Sequence, residues 1–216
     1  MVHPTDLAAP ARPDRRFDGR RLRSERTRQL LIEAYMTLLA GNVRAPTASQ
    51  IAEQAGYSVR SIFERFTDLR ALSLAAADHA IAVGQAEAPA HDVDGDRSAR
   101  IKAHVRTRAV ACQKWLPLWR AMIEAQDQMA ELKGRVALVR RANLARLRLM
   151  YAAELATLLG PERKQMLFAL GALTSFESWN QLRVDYGLSM EAAQAVWYTV
   201  IDRMLPVTPL QPSQAD

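Results

Sequence analysis

Residues 47–66 read TASQIAEQAGYSVRSIFERF. A short apolar face, Ile51, Ala52 and Ala55, stops at Gly56, and a second apolar pattern starts at Val59. Thr47 or Ser49 opens the first segment as a helix cap and Ser58 opens the second, because their side-chain oxygens accept from otherwise unpaired amides. Gly56 stands where the chain must bend, a position that favours a residue able to take φ above zero. A longer helix precedes them, with the stripe Leu30, Leu31, Ala34, Tyr35, Leu38 and Leu39. Ile51, Ala52, Ala55 and Ile62 can pack on Leu31, Ala34, Tyr35 and Leu38, with Val59 and Phe66 flanking Ile62. A longer helix followed by two short ones about a glycine corner reads as a helix-turn-helix.

Outward from this motif the chain reads as helix throughout. It has 216 residues, 49% of them hydrophobic, which is enough for one or two cored domains. Leu, Ala, Arg, Met and Gln favour helix, and no alternating run seeds a sheet. The single cysteine, Cys112, rules out an intrachain disulfide framework and thiolate metal clusters. His79 and His104 lack partners at ligand spacing, so neither a metal nor a cofactor is expected. No apolar run is long enough for a membrane span, and no signal core stands at the N-terminus; a cytoplasmic protein is the expectation.

The fold class is therefore all-α, with an N-terminal three-helix helix-turn-helix domain and a C-terminal helical body. Residues 1–20 read as a flexible Arg-rich arm and 21–68 as the helix-turn-helix domain. Residues 69–205 form the helical body, and 206–216 a disordered tail. Ser24 is the candidate first cap, with the first helix running from Arg28 to Ala40. The fourth helix starts after Thr67 or Asp68 and bridges the two units, and the stretch PAHDVDGDR at 89–97 is the clearest linker. Further helices are expected near 97–112, 116–126, 128–158, 162–184 and 189–204, with Pro117 in a first turn and Gly160-Pro161 a stop and restart.

The second short helix is free to enter a major groove, which admits one α-helix. Its candidate contacts are Tyr57, Val59, Arg60, Ser61, Glu64 and Arg65. Arg60 suits a guanine edge, Val59 a thymine methyl and Ser61 a base or phosphate. Glu64 suits a cytosine amine or an i,i+4 pair with Arg60. Thr47, Ser49 and Ser58 at helix N-termini suit phosphate, and Arg44 lies just before them. Phe63 packs but offers no hydrogen bond. The formal net charge is +6, and residues 12–28 hold eight arginines against three acids. That segment is either a solvated tail or an arm lying near a phosphate backbone.

Residues 26–72 resemble the DNA-binding domain of the TetR family of bacterial transcription regulators. The resemblance rests on Thr47, Ile51-Ala52, Ala55-Gly56-Tyr57-Ser58, Ile62-Phe63 and Phe66, then Asp68-Leu69 and Leu72. It departs in two places. Phe63 and Leu69 stand where the family usually has a Tyr and a Lys that touch phosphate, so the Arg-rich segment is a candidate substitute. The resemblance implies a homodimer on a palindromic double-stranded operator. It also implies a C-terminal pocket for a small-molecule effector, and a dimer interface made by the last two helices.

The body supplies residues for both roles. Apolar faces at 162–184 and 189–204 exceed one packing neighbour, as a core or as a dimer face. Leu173, Phe176, Val196, Trp197, Val200 and Met204 are the candidates for pairing. Trp115, Trp119, Met122, Met129, Met150, Phe168 and Trp179 suit a cavity or, equally, a core. An isolated arginine facing a cavity (Arg106, Arg108 or Arg120) would receive an anion. The basic run Lys133, Arg135, Arg140, Arg141, Arg146 and Arg148 reads first as a solvated helix face. Cys112 reads as a buried small apolar residue. With no catalytic constellation, no enzyme is expected. The leading function is a sequence-specific DNA-binding regulator, a repressor released by an apolar or amphipathic ligand. The alternatives are an adaptor or ligand-binding protein without specific DNA binding, and an activator of the same fold.

Overall fold

The structure is a computed structural model that describes residues 15–41, 44–87 and 95–209. The described residues are helical, with no strand among them. Helix α1 (Arg15–Ala40) packs on α2 (Ala48–Ala55) and α4 (Leu69–Ala86), and α3 (Val59–Phe63) packs on α2. Leu31, Ile32, Ala34, Tyr35 and Leu39 of α1 are buried, as are Ile51, Ala52, Ile62, Phe66 and Leu72. The expected α1 stripe is therefore the core face, except that Leu30 and Leu38 are only half-buried.

Each short element is fixed by local chemistry. Thr47 Oγ1 accepts from the Gln50 amide at 3.3 Å, and Gln50 Oε1 accepts from the Thr47 amide at 2.9 Å. Gly56 takes φ 72° and its amide donates to the Ala52 and Glu53 carbonyls, closing α2. Ser58 caps α3, and Asp68 caps α4 by accepting from the Ala71 amide at 2.8 Å.

The body is built around α5 (Arg97–Ala125), which touches α1, α4, α6 (Ala130–Met150), α9 (Phe176–Asn180) and α10 (Met190–Met204). Two further helices, α7 (Ala152–Ala156) and α8 (Gly160–Leu173), and a π-helical turn (Gln181–Asp185) complete it. At the bottom of the core Arg100 pairs with the fully buried Glu154, donating to Oε2 at 3.1 Å and also to Oε1. Thr208 donates to the same carboxylate. His104 Nδ1 lies 2.8 Å from the Tyr151 hydroxyl.

Several boundaries differ from those expected. Helix α1 begins at Arg15, not after a Ser24 cap, so 15–20 are helical; residues 1–14 of the expected arm lie outside the described residues. Helix α5 runs through Pro117 without a break at 112–116. Proline removes one backbone donor, yet Leu116, Leu118, Trp119 and Met122 are buried around it and tertiary packing holds the helix. The 128–158 and 162–184 stretches each divide. The second breaks at Thr174, whose hydroxyl donates back to the Leu170 carbonyl at 2.8 Å, and Ser175 caps the next helix. Residues 206–209 are pinned, since Arg97 donates to the Pro206 carbonyl as well as to Asp202 Oδ1 at 2.9 Å. The rest of the expected tail, 210–216, is not among the described residues.

Candidate nucleic-acid interface and effector cavity

Because α3 is only five residues long and buries just Ile62, almost all of it faces outward. Val59 and Tyr57 are each 38% exposed, Phe63 50%, and the Arg60 side chain 88%. Val59 and Phe63 stand one turn apart on this outward face. Arg60 Nε donates to Glu64 Oε1 at 3.0 Å, which realises the i,i+4 pair and holds the Glu64 carboxyl below its ordinary range. Ser61 is half-buried, and its hydroxyl lies 3.0 Å from that of Ser58. Thr47 and Ser49 are exposed at the start of α2.

Arg65 is less exposed than the sequence implies. Its Nη1 donates to the Ser61 carbonyl at 3.1 Å, while its Nε is buried with no hydrogen-bond partner. It lines a concavity with Arg23, Ser24, Arg26, Thr27, Leu30 and Tyr57. Thr27 Oγ1 lies 3.4 Å from the Tyr57 hydroxyl across it. The helical start of α1 thus places Arg23 and Arg26 beside the entry to α3. Sequence alone placed these arginines in or near the arm, without bringing them to Tyr57 and Arg65. Arg44 lies elsewhere, in a groove lined by Leu39, Pro117, Arg120 and Asn180.

A cavity of about 730 Å³ opens between α5, α6, α8 and α9. Of the expected lining, Arg108, Trp119 and Phe168 are there, joined by Val139, Arg140, Asn143, Leu144, Phe176 and Glu177. Trp119 and Phe176 stack, with centroids 4.6 Å apart and planes 15° from parallel. Trp115 and Met122 line a separate slot of about 210 Å³ beside α4, which shares Trp119, Val139 and Phe176 with the cavity. Met150 and Trp179 line neither, being wholly buried core. Arg140 and Phe176 were missed as cavity residues because a basic helix reads as a solvated face, and an aromatic on a terminal helix as a pairing residue.

Electrostatics within the cavity are uneven. Arg140 Nη2 donates to Glu177 Oε1 at 2.8 Å and the Trp119 indole donates to the same oxygen at 3.3 Å. Burial raises the Glu177 carboxyl, but these bonds outweigh it and hold the group below its ordinary range. Arg108 Nε donates to the Thr174 carbonyl at 2.8 Å, and its guanidinium lies 4.7 Å from the Phe176 centroid. Arg120 instead donates to Asn180 Oδ1 at 2.9 Å, and Arg106 is exposed. Burial pushes the Cys112 thiol up to about 11, which fits a packing residue.

The expected pairing residues divide. Trp197 is wholly buried against Trp179 and donates to Ser178 Oγ at 3.2 Å, and Phe176 is 5% exposed; both are used within the chain. Leu173 and Met204 are half-buried against the core. Val196 is 37% exposed and Val200 half-buried, one turn apart on the outer side of α10. Among the described residues no group of His, Cys, Asp and Glu could hold a metal, and no helix is long and apolar enough to cross a membrane.

No family model and no curated protein sequence matches the chain. Solved structures do. A proposed TetR-family transcriptional regulator from Mesorhizobium loti superposes with a TM-score of 0.63 at 16% identity, over 86% of this chain and 99% of that one. A transcriptional regulator from Rhodococcus sp. RHA1 gives 0.61 at 16% identity over 86% and 99%. The multidrug binding protein EbrR, in complex with imidazole, gives 0.57 at 18% identity over 88% and 98%. The chain has the all-α fold of TetR-family transcriptional regulators.

Proposed function

We propose that the chain is a homodimeric, sequence-specific DNA-binding transcription regulator, a repressor released when a small apolar or amphipathic ligand fills the body. The outward face of α3 carries this reading. Val59, Arg60 and Phe63 are presented on a helix too short to need them for packing, beside a concavity lined by Arg23, Arg26 and Arg65. Arg60 and Val59 read base edges; Ser58, Thr47 and Ser49 lie at helix starts that suit phosphate. Arg23, Arg26 and Arg65 replace the phosphate contacts that Phe63 and Leu69 cannot make. Two copies pairing through the Val196 and Val200 face would set two α3 helices on a palindromic site.

Selection of bound duplexes from a random pool tests this directly. Enrichment of a palindrome whose half-sites lie about one helical turn or a multiple apart supports it. Recovery of no sequence above background, at low salt and with competitor present, overturns it in favour of a helical adaptor.

A further inference from the structure

We propose that the body binds an organic anion with an apolar body, its anionic group seated on Arg108 and its apolar part laid across the Trp119–Phe176 stack into the slot beside α4. The two hollows together set the shape. The larger, about 730 Å³, lies within the range of small-molecule sites. The smaller is walled by Ala77, Ala80, Ile81, Leu118, Met122 and Leu138, an apolar lining with no charged member. Trp119, Val139 and Phe176 belong to both, so a ligand that reaches from one to the other passes the stacked rings.

The charge follows from which cation is already answered. Two arginines and two acids line the larger cavity. Glu177 and Asp185 are exposed, and Glu177 is bonded to Arg140, so that arginine is neutralised in place. Arg108 is half-buried, and its recorded partners are a backbone carbonyl and an aromatic ring. Among the described residues no carboxylate lies within ion-pair distance of it. A guanidinium keeps its charge at any physiological pH and has five donors. Only Nε is directed to Thr174. An anion here gains a charge-assisted bond without first breaking an ion pair.

The inference rests on the effector-responsive reading above, but its test contains no DNA. Tryptophan fluorescence or calorimetry would compare decanoate with 1-decanol and decyltrimethylammonium, and 2-naphthoate with 2-naphthalenemethanol, on the full chain. The anion of each set should bind roughly tenfold or more tighter than its alcohol. Arg108→Leu should bring the two together while alcohol binding persists. Arg108→Lys should keep part of the gap, and Arg106→Gln, at an exposed arginine of the same helix outside both hollows, should leave it. Equal affinity of anion and alcohol in the unaltered protein overturns the inference, as does a gap that survives Arg108→Leu. Preference for the ammonium overturns it in favour of Glu177 and Asp185 as the head-group site. A protein that shows the anion preference yet selects no operator would sink the regulatory reading and leave this site standing.

Discussion

Gly56 and His104 show two ways in which one position governs more than its own neighbourhood. Gly56 sits at φ 72° with open space where a Cβ would be, so substitution meets backbone strain and no clash. Gly56→Ala should lower unfolding stability by about 1–2 kcal/mol, and Gly56→Asn by less, as chemical denaturation would read. His104 couples stability to acid. Burial, then Arg108 and Arg146, bring it from 6.5 to about 3 in the folded chain. Between those values the unfolded chain binds the extra proton and the folded one does not, so stability falls as pH falls. The slope approaches about 1.4 kcal/mol per pH unit well below 6.5. Melting temperatures taken from pH 7.5 down to 5 should decline, and His104→Gln should flatten that decline. Gly56 was legible in the sequence because a corner demands a special φ. The environment of His104 was not, because Tyr151 and Arg146 reach it only through tertiary packing.

At the scale of elements, arginines finish helices that lack a glycine end. Arg97 donates to the Asp202 and Leu205 carbonyls at the close of α10, and Arg163 to the Leu155 and Leu158 carbonyls beyond α7. The Asp202 carbonyl lies in the last turn of α10, where the position four residues on is Pro206 and offers no amide, whereas the Leu155 carbonyl also accepts from the Leu158 amide. Arg97→Met should therefore cost about 1.5–3 kcal/mol, measured by urea denaturation, with the loss localised by faster amide exchange at the end of α10. Amphipathic stripes revealed most helices, and the caps Thr47, Ser58 and Asp68 stand where side-chain oxygens were expected to start them. Interruptions were harder to see. Pro117 looks like a start yet lies inside α5, whereas Thr174 looks innocuous and ends α8. In both cases long-range burial or a side chain bonding back onto its own helix decides, and neither leaves a periodic trace.

For the molecule as a whole, the α1 extension bears on how DNA affinity responds to salt. If Arg23 and Arg26 each meet a phosphate, Arg23→Ala and Arg26→Ala should each lower the slope of log affinity against log salt by about one, with base preference unchanged. Gel shifts on the selected duplex across a salt series would measure it; unchanged slopes would remove the arginines from the interface. The helix-turn-helix module was readable because its contacts are local in sequence. The cavity was only half readable, since Arg108, Trp119 and Phe168 come from two distant helices and nothing in their spacing says they face one another.

The segment after α10 has a practical consequence. Arg97 reaches the Pro206 carbonyl and Thr208 donates to the buried Glu154 carboxylate. A chain trimmed after Leu205 would keep every helix and still lose the Thr208 donor to the Glu154 carboxylate and uncover that charge to water. Four residues without secondary structure thus act as a stopper in the base of the molecule. An affinity tag or protease site belongs beyond 209, where adding or cutting chain leaves that seal intact.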